Sequence, residues 1–250
     1  TATQNVSGGT ASNTVVGYRG FEYIQSGGVA SGTLVQSGGS QCAASGGTAY
    51  GTIVSGGFLS AYGGAISGAV IHDGSGQIFG TVQDMTLHSG YVWFRTGCIA
   101  DGVTVSGGRV ETSNAEIHNL TIHSGGTGTI GAGTLYDTKL LGGNVSIFHV
   151  EQTDFHRMTI SGGTALIESR TALRDTVLQD GVLNLRNISG SGNGAFDTIV
   201  EGGSMMMSSG AVAAGTVLSG GSMVLLEGAV ATGTILRGGS QILAGAAENG

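Results

Sequence analysis

The sequence predicts an all-β fold, a right-handed parallel β-helix (β-solenoid) of about thirteen coils of ~18 residues, with three short strands per coil. Three observations predict it. Glycine makes up 50 of the 250 residues and proline none, a short unit recurs along the chain, and one place in that unit is always aliphatic. Glycine supplies turns with positive φ, whereas proline would remove an N–H from a hydrogen-bonded ladder.

The repeat starts with a threonine followed by two aliphatic residues in its clearest copies. The starts recur at intervals of 16 to 22 residues, which is too short for a propeller blade of ~40 residues. They are Thr14, Thr33, Thr52, Ala69, Met85, Val103, Leu120, Thr138, Met158, Thr176, Thr198, Thr216 and Thr234. A unit of this length without a helix-length stretch indicates one coil of a solenoid.

Three columns of this repeat predict its geometry. Position three is always aliphatic and position six is glycine in every copy but the first, as at Gly57 and Gly90. The residue before each start is Gly, Asn or Asp, except for Arg157. Side chains alternate along a strand, so position three should point inward and positions two and four outward. The glycines and the Asx residues should occupy the bends.

The domain organisation is predicted as one β-solenoid segment over residues 1–250, with regular coils at 14–68 and 198–250 and an irregular middle at 69–197. The right hand follows from the rule for parallel crossovers. The chain ends where another threonine would be due, so we expect it to be a segment of a longer protein. In the longest coil, NISGSGNGAFD predicts a protruding loop with Asn187, Ser191 and Asn193.

The charge pattern argues against several partners. The net charge of −7 comes from 16 scattered acids and 9 bases, so no basic stripe is available for nucleic acid. No apolar run approaches the ~20 residues of a membrane span. The first residues also lack the features of a signal peptide.

The two cysteines are predicted to be buried free thiols. Cys42 and Cys98 lie three coils apart, about 14 Å along the axis at the usual strand spacing. The α-carbons of a disulfide lie within about 7 Å of each other. A disulfide between them is therefore not expected.

The histidines and aspartates carry weaker signals. His72, His88 and His123 occupy the outward position four, where neighbouring imidazoles could hold a metal or sense pH. They are separated by whole coils and no carboxylate or thiolate completes a spacing, which favours a solvated surface without metal. Four aspartates precede repeat starts, where turn chemistry explains them: Asp84, Asp137, Asp175 and Asp197.

One loose polar group deserves comparison with an active site. Glu151, Asp154, His156 and Arg157 lie in the coil 138–157. A polysaccharide lyase or hydrolase needs two or three acids, or acids with a base, converging on one face. A protruding polar loop accounts better for the group, so no catalytic, cofactor-binding or metal-ligating residue is assigned.

Repeats of the form T-aliphatic-aliphatic-x-GG-x-x-x-x-x-x-G-x-A-x-G/N resemble the passenger repeats of AIDA-type self-associating autotransporter adhesins of Gram-negative bacteria. Residues 27–41, 46–57 and 198–250 carry the likeness, less than half of the chain. The resemblance implies export through an outer-membrane barrel, display on the cell surface, self-association between rods and adherence to host cells or extracellular glycans. It also implies glycosylation by a dedicated heptosyltransferase, for which the outward Ser55, Ser106, Ser161 and Ser219 are the candidate sites.

The sequence therefore predicts a non-catalytic surface adhesin or self-association module that binds through many weak lateral contacts. The predicted contact face carries polar residues at position four and these residues at position two: Val15, Ile53, Thr86, Thr104, Thr121, Thr159, Ile199 and Ile235. Two alternatives stay open. One is a carbohydrate-active β-helix, either a polysaccharide lyase or a depolymerase, and the other is a passive structural spacer.

Overall fold

A computed structural model describes residues 2–147, 152–208, 210–245 and 247–249. These residues form strands, turns and bends without a helix, and none of them belongs to a helix long and apolar enough to cross a membrane. The chain divides into two compact units, Thr1–His118 and Asn119–Gly250. The expectation of a single solenoid segment over residues 1–250 stays a prediction.

The first unit is built of short strands. In chain order they are Ala2–Val6, Thr10–Ser12, Val15–Val16, Gly20–Ile24, Val29–Ser31, Leu34–Gln36, Ser40–Ala44, Thr48–Tyr50, Ile53–Tyr62, Ala65–Ser67, Val70–Ile78, Thr81–Leu87, Tyr91–Phe94, Ile99–Val105, Gly108–Thr112 and Ala115–His118.

The second unit follows the same plan. Its strands are Thr121–His123, Gly126–Ile130, Gly133–Tyr136, Lys139–Leu141, Asn144–Ile147, Thr153–His156, Thr159–Ser169, Thr171–Arg174, Val177–Ile188, Gly194–Phe196, Ile199–Val200, Ser204–Met207, Val212–Ala214, Val217–Leu218, Ser222–Leu226, Val230–Thr232, Ile235–Leu236, Ser240–Ala244 and Ala247–Asn249.

The strands pair in parallel with their equivalents one coil away, which confirms the predicted β-solenoid. Leu34–Gln36 pairs with the beginning of Ile53–Tyr62, and Ser40–Ala44 pairs with its end. Thr48–Tyr50 pairs with Ala65–Ser67. Each coil thus contributes to three columns: the first carries the repeat start, the second follows the glycines, and the third precedes the next start. A strand such as Ile53–Tyr62 passes through a corner and serves two columns.

The aliphatic column of position three forms the core, as predicted, with one exception. Twelve of its members are at most 4% exposed: Val16, Val35, Val54, Ile71, Leu87, Val105, Ile122, Leu140, Ile160, Leu178, Val200 and Leu218. Leu236 is in register with the buried Leu218 but is 59% exposed. Its strand pairs with Val217–Leu218 and, among the described strands, has no partner on its other side.

The residue before each start adopts the left-handed conformation throughout. All thirteen such residues have φ between 53° and 71°. Arg157, the one departure from Gly, Asn or Asp, has φ 59°. Non-glycine residues pay about 1–2 kcal/mol for this conformation, least for Asn and Asp. The turn geometry is therefore imposed by the coil, and Asp84, Asp137, Asp175 and Asp197 have the turn role that was predicted.

The glycine at position six has two separate physical reasons. At Gly90, φ is 94° and an added Cβ would lie 2.2 Å from the carbonyl oxygen of Gly74 one coil away. At Gly57, φ is not positive, and the expected left-handed bend is absent there. Glycine is required at Gly57 because a Cβ would lie 2.6 Å from the carbonyl oxygen of Gln36.

A polar network lies inside the first unit, where the sequence pattern indicated none. Glu22 is fully buried, and its Oε2 accepts hydrogen bonds from Thr33 Oγ1 at 2.8 Å and Gln41 Nε2 at 2.6 Å. Thr52 Oγ1 donates to Gln41 Oε1 at 2.7 Å. Glu22 Oε1 has no hydrogen-bond partner among the described residues. Polar side chains of the second column can therefore lie in the interior where threonines of the first column form hydrogen bonds with them.

The aliphatic column yields a direct test of stability. We expect Leu178→Ala to lower the free energy of unfolding by about 2–5 kcal/mol, because it removes a fully buried side chain and leaves a cavity. Leu236→Ala is the matched control at the same repeat position. Its side chain is largely exposed, so its effect should stay within about 0.5 kcal/mol. Urea unfolding followed by far-UV circular dichroism measures both, and equal losses would contradict the stacked core.

Candidate functional site

The outer surface of the first column, which we call the first face, carries two rows of side chains at positions two and four. In the first unit the position-two residues lie in register from coil to coil. They are Val15, Leu34, Ile53, Val70, Thr86 and Thr104. Val15 and Ile53 are 61% and 41% exposed. Four successive coils thus present aliphatic side chains to solvent in one row.

The second unit carries an equivalent row. Its members, again in register, are Thr121, Lys139, Thr159, Val177, Ile199, Val217 and Ile235. Ile199 and Ile235 are 40% and 49% exposed. All eight residues predicted for position two are exposed or half-buried. The inter-coil register adds Leu34, Val70, Lys139, Val177 and Val217 to the row.

The position-four row is polar apart from Gly17 and Leu141. In the second unit Ser161 donates to Gln179 Oε1 at 2.6 Å, and Gln179 Nε2 donates to Glu201 at 3.3 Å. Leu141 interrupts the polar row and is 37% exposed. The first face therefore combines a row that contains two aliphatic runs, one from Val15 to Val70 and one from Val177 to Ile235, with a mainly polar row on the same strands.

The four serines predicted as glycosylation sites differ in accessibility. Ser55 and Ser219 are exposed, whereas Ser106 and Ser161 are half-buried. The Ser161 hydroxyl is held by Gln179. Ser219 makes a longer contact, 3.3 Å, with the carbonyl oxygen of Val200. Modification of these serines stays a prediction.

The histidines of position four form a stacked pair in the first unit. The rings of His72 and His88 are nearly parallel, at 7°, with centroids 5.1 Å apart, and both side chains are exposed. His123 lies in the second unit. Within the ranges that the structure describes, no group of three or more His, Cys, Asp or Glu side chains is placed to hold a metal ion.

Within the described residues, the loose polar group of the coil 138–157 has separate contacts for each of its members. Arg157 pairs with Asp137 through two hydrogen bonds of 2.7 and 2.6 Å, and this pairing raises the pKa of the guanidinium. Asp154 accepts from Gln152 at 3.1 Å. The His156 ring stacks on Tyr136, with centroids 5.0 Å apart. Glu151 lies outside the described residues.

The loop residues of the coil 176–197 occupy different environments. Asn187 is exposed at the end of the strand Val177–Ile188, with φ 52°, and Ser191 is exposed in the connection that follows. Asn193 is only 5% exposed. Its amide nitrogen donates to the carbonyl oxygen of Ser189, and its Oδ1 accepts from Gln152. The first bond closes the loop within its own coil, and the second ties its end to the coil 138–157.

Three aromatic side chains and one arginine form a packed group on the outer surface of the first unit. Tyr62 stacks on Phe79 with ring centroids 5.2 Å apart. The Arg95 guanidinium lies 5.3 Å from the centroid of Phe79 and 3.7 Å from that of Trp93. Tyr62 and Phe79 stack on each other, and Arg95 lies against Phe79 and Trp93. These side chains therefore form a packed cluster on the surface.

The two cysteines are free and buried, as predicted. Burial raises the pKa of the Cys98 thiol to about 12, and it also raises the pKa of Cys42, against a smaller opposing hydrogen bond from Ser60. The thiolate is the reactive form of cysteine. Neither residue therefore provides a nucleophile at neutral pH.

This predicts that the folded chain resists alkylation. At pH 8, where a free cysteine with a pKa of about 8.5 is partly ionised, iodoacetamide should leave both thiols unmodified in the native chain. In denaturant both should react, which intact mass spectrometry reads as two added groups. Modification of Cys98 in the native chain within the same period would show that its burial is incorrect.

The parallel ladders define the class of the fold, a β-solenoid of short coils. Within that class, the crystal structure of the TibC-catalysed, hyper-glycosylated TibA55-350 fragment is similar over 100% of this chain and 95% of the fragment, with a TM-score of 0.85 and 24% sequence identity. This similarity confirms the fold that the resemblance to AIDA-type passenger domains implies. At this level of identity it shows the fold alone.

The remaining comparisons show much weaker similarity or none. Two structures of PfbA, a surface adhesin of Streptococcus pneumoniae, match 97% of this chain with TM-scores of 0.38 and 0.36 and 8% identity. They cover 85% and 90% of the PfbA chains, and TM-scores this low support no argument. No family model and no curated protein matches the chain.

Proposed function

We propose that the chain is a surface-displayed, non-catalytic passenger segment of an AIDA-type adhesin that binds through its first face. The observation that carries the proposal is the exposed, in-register aliphatic row with a polar row beside it. A TibA fragment with the same fold supports the proposal, together with the repeat segments that resemble this family. The corresponding location is the outer surface of a Gram-negative bacterium.

The first face suits self-association by repetition. Each coil with an aliphatic residue in this row adds one small apolar contact, at a spacing of ~4.8 Å between successive coils, and burial of apolar surface stabilises by roughly 25 cal/mol per Å². Single contacts of this size are weak, but a row of them on one rigid scaffold adds up to avidity. In a two-fold pairing, every contact occurs twice because the same surface serves both copies. Host cell surfaces and extracellular glycans are the further proposed partners.

The contacts of the acidic residues favour a non-catalytic role over a lyase or depolymerase. Asp137 is occupied by Arg157, and Asp154 is hydrogen-bonded to Gln152. General acid and base catalysis requires two groups that face one substrate. A passive spacer would not need an exposed aliphatic row, which is the feature that favours an adhesin.

Self-association is tested with a pair of valines in the second unit. Val217 lies on the first face and Val212 in the third column, and both are half-buried. Val217→Lys should weaken self-association about tenfold, equivalent to ~1.4 kcal/mol, because it places a charge within the apolar row. Analytical ultracentrifugation over a range of protein concentrations measures the dissociation constant.

Val212→Lys is the matched control and should change the dissociation constant less than twofold. Each copy carries a net charge of −7, so salt should tighten the association by screening the repulsion between copies. A chain that stays monomeric at every concentration and salt level would refute self-association. Equal weakening by both variants would refute the first face as its site.

Glycosylation of the first face forms part of the same proposal. The TibA fragment is hyper-glycosylated in a TibC-catalysed reaction, which supports a heptosyltransferase as a partner of this chain. We expect protein from the native host to show added heptose or hexose by intact mass. Peptide mapping should find Ser55 more fully modified than Ser161, since the Ser161 hydroxyl is half-buried and bonded. An unmodified mass would remove this part of the proposal.

A further inference from the structure

The third column of the first unit contains a groove on its outer surface. Its volume is about 290 Å³, near the lower end of the range for small-ligand sites. Tyr50 forms one end, and Ile99 and Asp101 form the other. The two coils between them carry small outward residues, including Ala65 and Ser67, and these form the floor.

Tyr50 presents an uncovered aromatic ring to this groove. Its side chain is 48% exposed. The residues beside it in the adjacent coils are Ser31 and Ser67, which are too small to cover a ring. Within the described part of the chain, no aromatic or cationic group stacks on it, in contrast to Tyr62, which packs on Phe79. One flat apolar surface with a hydroxyl at its edge is therefore available to a ligand.

The rest of the groove offers hydrogen-bonding groups. The hydroxyls of Thr48, Ser67 and Thr81 and the amide of Gln83 line it. These four side chains bond to no other side chain or backbone group in the described ranges. The Asp101 carboxylate adds an acceptor at one end. Such a mixture of hydroxyl, amide and carboxylate groups matches a ligand rich in hydroxyls.

The groove does not suit an extended peptide. A peptide that adds to a sheet needs a free strand edge. Ala65–Ser67 is already paired on both sides, with Thr48–Tyr50 and with Thr81–Gln83. Recognition must therefore come from side chains alone, as it does for a carbohydrate.

The length and charge of the groove narrow the class of carbohydrate. Three coil steps separate Tyr50 from Asp101, about 14 Å at the usual strand spacing, which exceeds the length of one sugar ring. The lining contains an aspartate and no Lys, Arg or His. A carboxylated sugar would therefore find no cation in the lining to pair with its own carboxylate.

We propose that this groove binds a short segment of a neutral oligosaccharide, with one sugar ring stacked on Tyr50 and its neighbours hydrogen-bonded to Ser67 and Gln83. The inference rests on the proposed adhesin function and assigns a glycan-binding site to a face different from the first face. Adhesion to glycans and self-association would then use separate surfaces of one chain.

The test uses the purified chain and an array of neutral oligosaccharides, each printed beside its sialylated or uronate-containing counterpart. The best neutral binder is then titrated by isothermal calorimetry. Tyr50→Ala should weaken its binding about tenfold. Tyr62→Ala is the matched control, because Tyr62 is 50% exposed in the same unit but lies outside the groove, and it should leave binding within twofold.

Ser67→Phe provides a second variant that keeps Tyr50 intact and fills the floor of the groove. It should abolish binding while the melting temperature stays close to that of the unchanged chain. The proposal is overturned if no neutral oligosaccharide binds, if carboxylated counterparts bind as tightly, or if the Tyr50 and Ser67 variants bind like the unchanged chain. If oligosaccharide binding fails while Val217-dependent self-association is observed, the proposed binding site in the groove is refuted and the proposed adhesin function is retained.

Discussion

The parallel hydrogen-bonded ladder between successive coils is the constraint on which the other features depend. It fixes which residue lies above which, as in the pairs Val35–Val54 and Leu178–Val200. Once that register is set, strand alternation sends position three inward and positions two and four outward. The core column and the first face are thus two consequences of the same backbone pairing.

The ladder also explains how coils of unequal length preserve the rows. The intervals of 20 and 22 residues that begin at Thr138 and Thr176 still place Leu140 beside Ile160 and Leu178 beside Val200. In the second case the extra residues lie around Ser191, between two strands, where Asn193 anchors them. Variation is therefore absorbed in the connections, and the outward rows remain in register within each unit.

The faces of the solenoid differ because their outward positions follow different rules. The first face repeats an aliphatic residue beside a polar one, which creates a row suited to many equal contacts. The third column has no such rule, and a large residue can stand next to small ones, as Tyr50 stands next to Ser67. A local groove arises where the row is interrupted. Repeated side chains along a row favour avidity, whereas a change of side-chain size within a row favours a single local binding site.

The buried hydrogen-bond network at Glu22 leaves one oxygen of its carboxyl group without a partner among the described residues. A carboxylate inside a protein is stabilised by hydrogen bonds to its oxygens, and only Oε2 receives them in the described structure. Thr33 and Thr52 reach the network because position one of the first column points inward. The threonine that opens the repeat thus has an interior role in these coils.

The sequence by itself determined the coil, its core column and its turns. It predicted the burial of Val54 and the turn at Asp175, because periodicity and the left-handed preference of Gly, Asn and Asp are local signals that recur in every copy. Arg157 shows the limit of that signal, since the coil imposes the same φ on a residue that does not favour it. The burial of Glu22 and the open ring of Tyr50 were decided only by the tertiary structure. Both depend on which side chain lies beside them in the next coil. That neighbour is some eighteen residues away in the sequence and is set by the register between coils. No local sequence pattern encodes this register.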